Sequence, residues 1–361
     1  MERRKILKDL VSINTINDLE NNKFISYVNE YLKRLGFKTR TIGKDKKCLI
    51  ATYKKDFNLT FLGHSDTVNY TDNWNYKQLT LTKDKNNYYG LGVCDMKSGI
   101  AAFLNALNEI ELDKLNKGIQ VVITYDEEIG FSGIKELKNY YKDFSDNILI
   151  GEPSNLVPIV ACKGCLEYSV KFFGKAVHSS LEPTGKNAIV ECMKFISELL
   201  TVKEELKKEE NKIFKDIPYT TVNIGTISGG TAINIVPDTC EIKFDFRTVF
   251  KDQNEKTKEK INTILNKYNC TYEVITEVKS FTSKPNKRIE KITNKKSISY
   301  SYVTEGNFLE KENIFILGPG PVTAHEKDEY ISIESYNKTI ETYKQIIKTY
   351  CGKDEIYEKN I

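Results

Sequence analysis

Four apolar, strand-like runs in this 361-residue sequence each end abruptly in polar residues, and this pattern constrains the fold more than any other feature. Helical patterns separate the runs, among them an apolar face at Ile100, Leu104 and Leu107. Strands that alternate with helices predict an α/β fold with a mostly parallel sheet flanked by helices. The polar residues follow the four runs at His64-Ser65-Asp66, Asp126-Glu127-Glu128, Gly151-Glu152 and Gly318 to His325.

The middle of the chain has a different pattern. Between about 164 and 278 the apolar periodicity predicts the order strand, helix, strand, strand, helix, strand. Two helices on one face of a four-stranded antiparallel sheet fit this order. Because the polar strand ends lie on both sides of this segment, we predict that residues 164–278 form an α+β domain inserted into a catalytic domain made of residues 1–163 and 279–361.

Composition and charge exclude several classes of protein. The net charge is only +4 and the lysines are scattered among glutamates, so we expect no nucleic-acid partner. No apolar stretch is long enough to span a membrane, and the N-terminus lacks the apolar core of a secretory signal, so we expect a cytoplasmic protein. The eight cysteines are then expected to be buried thiols, including Cys162 and Cys165, whose spacing alone is weak evidence for a redox or zinc role.

The residues at the predicted strand ends, with one acid before a predicted helix, have the chemistry of a metal site. Imidazole and carboxylate groups suit divalent zinc, with cobalt and manganese as alternatives. Five such groups can hold two metal ions if one carboxylate bridges them, an arrangement known in hydrolases. We therefore predict two divalent metal ions, held by His64, Asp95, Glu128, Glu152 and His325.

Two further carboxylates are predicted to serve this site without binding a metal. Successive side chains at a strand end point in different directions, so we assign Glu128 to the metal and Glu127 to proton transfer. Asp66 lies two residues after His64 and can accept the second imidazole N–H, which would fix the tautomer of the ring.

Motifs along nearly the whole chain also resemble a known family. They comprise Gly63 to Val68, Tyr89 to Lys97, Asp126 to Gly130, Gly151 to Ser154, Gly174 to Ser180, Gly185 to Ile189, Asn234 to Pro237, Asp245 to Arg247 and Ala324 to Glu329. In this order they are similar to the motifs of the zinc aminoacylase and carboxypeptidase family. Within that family the chain most resembles the acetylornithine deacetylase and succinyl-diaminopimelate desuccinylase branch.

The resemblance implies how the metal ligands are shared. His64, Asp95 and Glu152 would bind one ion. Asp95, Glu128 and His325 would bind the other, so that Asp95 bridges the pair.

The resemblance also implies roles for residues near or within the inserted domain. His178 would reach the active site of a second copy of the chain and stabilise an oxyanion, which implies a homodimer. Arg247 and Asn234 would hold the carboxylate and neighbouring polar groups of the substrate. Gly306 belongs to a Thr-Glu-Gly segment that resembles a substrate-pocket loop of the same branch.

The function implied is hydrolysis of the amide bond in a small N-acyl amino acid, foremost N-acetyl-L-ornithine to ornithine and acetate, a step of arginine biosynthesis. A succinyl-diaminopimelate desuccinylase is an alternative, and so is a dipeptidase or carboxypeptidase with the same two-metal site. A third interpretation is a metal-containing protein that binds amino acids or peptides without catalysis. The presence of Glu127 and of every predicted ligand argues against that third interpretation.

Overall fold

The computed structural model describes residues 2–70 and 73–352, and the chain divides into two units. The first unit comprises Met1–Val160, Ser283–Ile298 and Leu309–Ile361, and the second comprises Ala161–Thr282 and Ser299–Phe308. The domain bounds at 164 and 278 stay a prediction beside this division, which also gives the short segment 299–308 to the second unit.

The helices and strands follow one another in an order close to that expected from the apolar periodicity. As far as the start of the second unit they are α1 (Glu2–Val11), α2 (Asn21–Arg34), β1 (Lys38–Ile42), β2 (Cys48–Tyr53), β3 (Phe57–His64), β4 (Thr82–Asp84), β5 (Asn87–Tyr89), α3 (Lys97–Asn108), β6 (Gly118–Thr124), α4 (Ser132–Tyr140), β7 (Asn147–Ile150) and β8 (Ile159–Cys162).

The remaining elements run through the second unit and return to the first. They are β9 (Cys165–Phe173), α5 (Ala188–Leu206), β10 (Thr221–Gly229), β11 (Thr239–Arg247), α6 (Gln253–Leu265), β12 (Cys270–Val278), β13 (Phe281–Thr282), α7 (Lys287–Thr293), β14 (Ile298–Tyr300), β15 (Asn313–Ile316), β16 (Tyr330–Ser332) and α8 (Ile333–Cys351).

The large sheet of the first unit is parallel at its centre. Strands β6, β3, β7 and β15 lie side by side in that order and all run parallel, whereas β1, β2 and β8 pair antiparallel toward the edges. Every residue of β6 is buried, as expected of a strand whose two faces are both covered. The predicted α/β fold is thus confirmed, and the carboxyl ends of its four central strands meet at one edge.

Aromatic side chains join this sheet to the helices beside it. Phe61 of β3 stacks on Phe103 of α3 with ring centroids 4.1 Å apart, and Tyr343 of α8 meets Phe103 edge-on at 5.7 Å. The Tyr343 hydroxyl donates to the carbonyl of Leu317, just beyond β15. Because each aromatic pair adds about 0.5–1.5 kcal/mol beyond its burial, this cluster fixes α3 and α8 against the strands that lead to the polar edge.

The second unit contains the predicted antiparallel sheet. Its four strands lie in the order β10-β11-β9-β12, and residues from α5 and α6 share one buried core with them. The buried aromatic residues of that core are Tyr168, Phe172, Phe195, Phe244 and Phe246. Alternate residues of β9 are buried, which is the period expected of a strand with one covered face.

Two expectations from composition can be compared with the described residues. No disulfide joins any of the eight cysteines, and seven of them, including Cys162 and Cys165, are buried. Among residues 2–70 and 73–352, no helix has both the length and the apolar character needed to cross a membrane.

Candidate active site

The edge of the sheet formed by the carboxyl ends of the central strands gathers the polar residues of the first unit. His64 is the last residue of β3, Glu127 and Glu128 follow β6, and Glu152 follows β7. Asp95 precedes α3, and His325 lies in the loop after β15. Because β3, β6, β7 and β15 are parallel, their ends bring side chains together from segments that are far apart in the sequence.

Asp95 stands between the two imidazoles. Its Oδ1 lies 3.1 Å from His64 Nε2, and its Oδ2 lies 3.7 Å from His325 Nε2. Each imidazole also meets a glutamate of its own: Glu152 Oε1 is 3.3 Å from His64 Nε2, and Glu128 Oε2 is 2.9 Å from His325 Nε2. The arrangement therefore has two halves, with one carboxylate common to both.

The ligand atoms are close enough for a cation to contact several of them. His64, Asp95 and Glu128 offer atoms within 4.8 Å of one another, and so do His64, Glu127 and Glu152. Glu127 thus belongs to one of the two groups of residues that could hold a cation, together with the predicted ligands His64 and Glu152. The division of labour between Glu127 and Glu128 stays a prediction.

Asp66 lies behind His64, on the side away from Asp95. His64 Nδ1 is 3.1 Å from the backbone carbonyl oxygen of Asp66 and 3.4 Å from its carboxylate Oδ1. The other carboxylate oxygen accepts the backbone N–H of Glu128 at 3.1 Å. Burial opposes ionisation of Asp66, but the hydrogen bond and the charge interaction with His64 outweigh it, and the pKa of Asp66 lies below its usual value.

The backbone around the site is tightly constrained. Asp126 and His325 have φ angles of 58° and 64°, in the left-handed region that non-glycine residues rarely occupy. Gly63 and Gly151 precede His64 and Glu152, and a Cβ at either would lie within 2.8 Å of the Met96 side chain. The small residues allow α3 to approach the strand ends, and this approach brings Asp95 to the two imidazoles.

The charges at this edge do not balance. Burial, reinforced by the charge of Asp95, raises the pKa of Glu152 to about 8, and burial raises the pKa of Glu127 well above its usual value. The hydrogen bond to Glu128 raises the pKa of His325 to about 9. Glu128 Oε1 is buried and accepts no hydrogen bond from the described residues. Converging carboxylates, two imidazoles and an unpaired buried acceptor fit divalent cations, which would neutralise the charge and use the open lone pairs.

Comparison with known proteins gives the family. A sequence profile of Peptidase family M20/M25/M40 matches residues 60–349. The chain belongs to this family. It is 32% identical to an acetylornithine deacetylase of Buchnera aphidicola subsp. Acyrthosiphon pisum (strain Tuc7), covering 96% of this chain and 97% of that protein. It is 30% identical to an acetylornithine deacetylase of Pasteurella multocida (strain Pm70), covering 94% of each.

A solved structure agrees in fold with this M20 chain. An M20 family metallo-carboxypeptidase from Sulfolobus solfataricus superposes with a TM-score of 0.78 at 20% identity, covering 97% of this chain and 99% of the other. The predicted enzyme class is confirmed: the M20 chain is a metal-dependent hydrolase. Its candidate ligands suit two divalent metal ions.

The four predicted residues outside this edge all lie in the second unit of the M20 chain. His178 and Asn234 lie together, because His178 forms a β-bridge with Ile235 and the N–H of Ser179 donates to the Asn234 carbonyl. Arg247 ends β11, with carboxylate oxygens of Glu167 and Asp245 each 3.7 Å away.

Gly306 is placed differently from the other three. It is buried in a short 3₁₀ turn, Glu305–Phe308, where its N–H donates to Thr304 Oγ1. The roles assigned to His178, Asn234, Arg247 and Gly306 stay predictions.

Two buried residues of the M20 site received no role from the sequence. The side chain of Lys97 is fully buried and donates to the carbonyl of Ile13 at 2.9 Å, and burial lowers its pKa to about 7. Glu329 is also buried, beside the backbone that leads to Asp95. Both lie within the recognised motifs, but only the tertiary contacts distinguish them from ordinary surface charges.

Proposed function

We propose that this chain hydrolyses N-acetyl-L-ornithine to ornithine and acetate with two zinc ions. The observation that carries the proposal is the position of Asp95, whose two oxygens face two separate imidazole–glutamate pairs. His64, Asp95 and Glu152 would hold one ion, and Asp95, Glu128 and His325 the other. The choice of substrate is supported by full-length similarity to the acetylornithine deacetylases.

The chemistry divides between the metal ions and the side chains. When bound, the ions supply Lewis acidity toward the amide carbonyl and toward water. Glu127 takes a proton from the attacking water as the C–O bond forms, and it delivers that proton to the nitrogen when the tetrahedral intermediate collapses and the amide C–N bond breaks. Burial holds the pKa of Glu127 high, which suits a carboxylate that must accept and then release a proton.

His178 would stabilise the oxyanion of the tetrahedral intermediate. The backbone N–H of Ser180 lies 3.2 Å from its Nδ1, and in the tautomer that accepts this hydrogen bond the neutral ring carries its proton on Nε2. That Nε2–H is the donor an oxyanion requires. The exposed imidazole is free to meet a substrate or a second copy of the chain.

Arg247 and Asn234 would recognise the α-carboxylate of the substrate and the polar atoms beside it. A guanidinium matches a carboxylate in a bidentate geometry. The carboxylates of Glu167 and Asp245 near Arg247 lie at 3.7 Å, beyond ordinary hydrogen-bond distance, so a substrate carboxylate could compete for the guanidinium. Gly306 would contribute backbone atoms to the same substrate pocket.

A substrate panel tests the proposed reaction. Purified protein supplied with Zn²⁺ or Co²⁺ is assayed with N-acetylornithine, N-succinyl-diaminopimelate, other N-acyl amino acids and dipeptides. We expect the highest kcat/KM for N-acetylornithine. A higher value for the succinyl compound or for a dipeptide would move the function to those alternatives, and no hydrolysis of any substrate would refute the proposal.

We also propose that the chain forms a homodimer through the second unit. Helix α5 exposes Val190, Met193 and Leu200 along one face, with 43%, 61% and 44% of each residue accessible. Within residues 2–70 and 73–352, strand β10 is an edge strand that pairs only with β11, and Ile227 on it is exposed. Such an apolar surface beside an open strand edge favours association with a second copy.

Mixing two inactive variants tests this homodimer together with the role of His178. If His178 of one copy acts in the active site of the other, a heterodimer of Glu127→Gln and His178→Ala has one site with both groups intact. Unfolding and refolding the two together should restore activity that neither has alone. A dimer without restored activity would mean that His178 acts within its own copy, and a monomer by light scattering would refute the dimer.

A further inference from the structure

Glu329 holds the backbone segment that ends in Asp95. Its carboxylate accepts three backbone N–H groups: Oε2 accepts from Gly92 at 2.8 Å, and Oε1 accepts from Cys94 at 2.6 Å and Asp95 at 2.9 Å. The residue is only 3% exposed. Because three N–H groups of one short segment converge on the same buried carboxyl group, this single side chain restrains most of the turn before α3.

The turn that Glu329 holds has few other backbone conformations open to it. Gly92 has a φ of 72°, and a Cβ there would lie 2.6 Å from the Thr67 side chain. The N–H of Lys97, at the start of α3, donates to the Gly92 carbonyl at 2.9 Å. The backbone of Asp95 is therefore held on one side by the start of α3 and on the other by the carboxyl group of Glu329. Both contacts determine where the Asp95 side chain points.

His325 lies in the same loop as Glu329. Thr323 Oγ1 donates to the carbonyl of Tyr330 at 2.7 Å and accepts the N–H of Tyr330 at 3.0 Å, which closes the loop containing His325. The N–H of Thr323 also contacts Cys94 Sγ at 3.4 Å. Loop 323–330 is thus bonded at two places to the segment 92–95.

We infer that Glu329 is a positioning residue that sets the distance between Asp95 and His325, and thereby shapes the metal site without binding metal. Both of its oxygens accept backbone N–H groups of the turn before α3, so the carboxyl group is directed at this turn. The inference rests on the proposed metal-binding roles of Asp95 and His325. Glu329 would affect metal affinity through the backbone of residues 92–95.

Cobalt titration of the full chain tests this inference without using substrate. Glu329→Gln keeps the shape of the side chain but turns an NH₂ group toward an N–H donor. We expect Co²⁺ to bind the variant about 10–100-fold more weakly, as is usual when a partner of a metal ligand is lost. We also expect the visible absorption of bound Co²⁺ to shift and kcat to fall while KM changes little. Glu334→Gln, an exposed glutamate on α8, is the matched control and should behave as wild type.

Other outcomes are equally decisive. A Glu329→Gln variant with wild-type Co²⁺ affinity and absorption, changed only in Tm, would overturn the inference and leave Glu329 a structural residue. If that variant does not fold, Glu329→Asp replaces it: intermediate affinity with a shifted spectrum supports the inference, and wild-type values overturn it. A wild-type chain that binds no Co²⁺ would refute the proposed metal site itself, which is a separate result.

Discussion

Individual side chains in this site depend on one another for their charge. His64 is fully buried, yet the charge of Glu152 and hydrogen bonds to Asp66 and Asp95 raise its pKa well above the usual value against the effect of burial. The acids in turn differ, because burial raises the pKa of Glu152 to about 8 while contact with His64 lowers that of Asp95. A substitution at one of these residues should therefore shift the pKa values of its neighbours as well.

Substitution of Glu127 should reduce catalysis without reducing metal content. Glu127→Gln removes the proton acceptor but keeps the volume of the side chain, so kcat should fall by about 10²–10⁴. Metal content by mass spectrometry should equal that of wild type. Glu111→Gln, an exposed carboxylate paired with Lys114, is the control and should leave kcat unchanged. A Glu127→Gln protein that has lost a metal ion would make Glu127 a ligand.

His178 should affect the rate without affecting the metal. We expect His178→Ala to lower kcat by about 10²–10³, the usual effect of removing an oxyanion donor, with metal content unchanged. Ser180→Ala keeps the imidazole and the backbone N–H that donates to Nδ1, and it removes only the hydroxyl that lies 2.8 Å from Nδ1, so the loss of kcat should be smaller. Equal losses in the two variants would indicate that His178 acts by holding its loop.

At the scale of elements, the approach of α3 to the strand ends determines the geometry of the site. Helix α3 is buried from Lys97 to Leu107, and its Gly99 lies against the carbonyl of Gly151, directly before Glu152. The helix and the strand end can approach this closely only because neither residue has a side chain at the contact. The contact couples the position of Asp95, at one end of α3, to that of Glu152.

Gly99→Ala should disturb this coupling. The added Cβ would lie 2.0 Å from the Gly151 carbonyl oxygen, so helix and strand must separate. We expect the free energy of unfolding to fall by about 1–3 kcal/mol and Co²⁺ affinity to fall with it. Gly225→Ala is the control, because the nearest atom to its Cβ would be 3.7 Å away. Denaturant titration measures the stability and cobalt titration the affinity, and equal stability of the two variants would contradict the prediction.

At the scale of the whole molecule, metal binding should stabilise the fold. The first unit brings together the proposed ligands His64, Asp95, Glu128, Glu152 and His325, and an unfolded chain would not gather them. A ligand that binds only the folded state adds about 2.7 kcal/mol when its concentration is 100 times its Kd. We expect a chelator to lower the Tm measured by calorimetry, and added Zn²⁺ or Co²⁺ to restore it. An unchanged Tm would mean that this edge of the sheet folds without help from a cation.

The sequence by itself determined the elements and the chemistry of the site. Strands such as Asn147–Ile150 were predictable because an apolar run bounded by polar residues has few other ways to be buried. The imidazoles and acids at their ends were recognisable as metal ligands because few other roles need that set of groups at successive strand ends.

Only the tertiary structure decided which atoms face one another. That Asp95 turns one oxygen to each imidazole, and that Glu329 holds the turn before it, depends on contacts that include residues more than 200 positions apart. Local periodicity carries no information about such distances, because it reports which face of an element is buried and not what lies opposite. The close approach of Gly99 to Gly151 is decided in the same way, by two backbones that meet only when the sheet and α3 pack together.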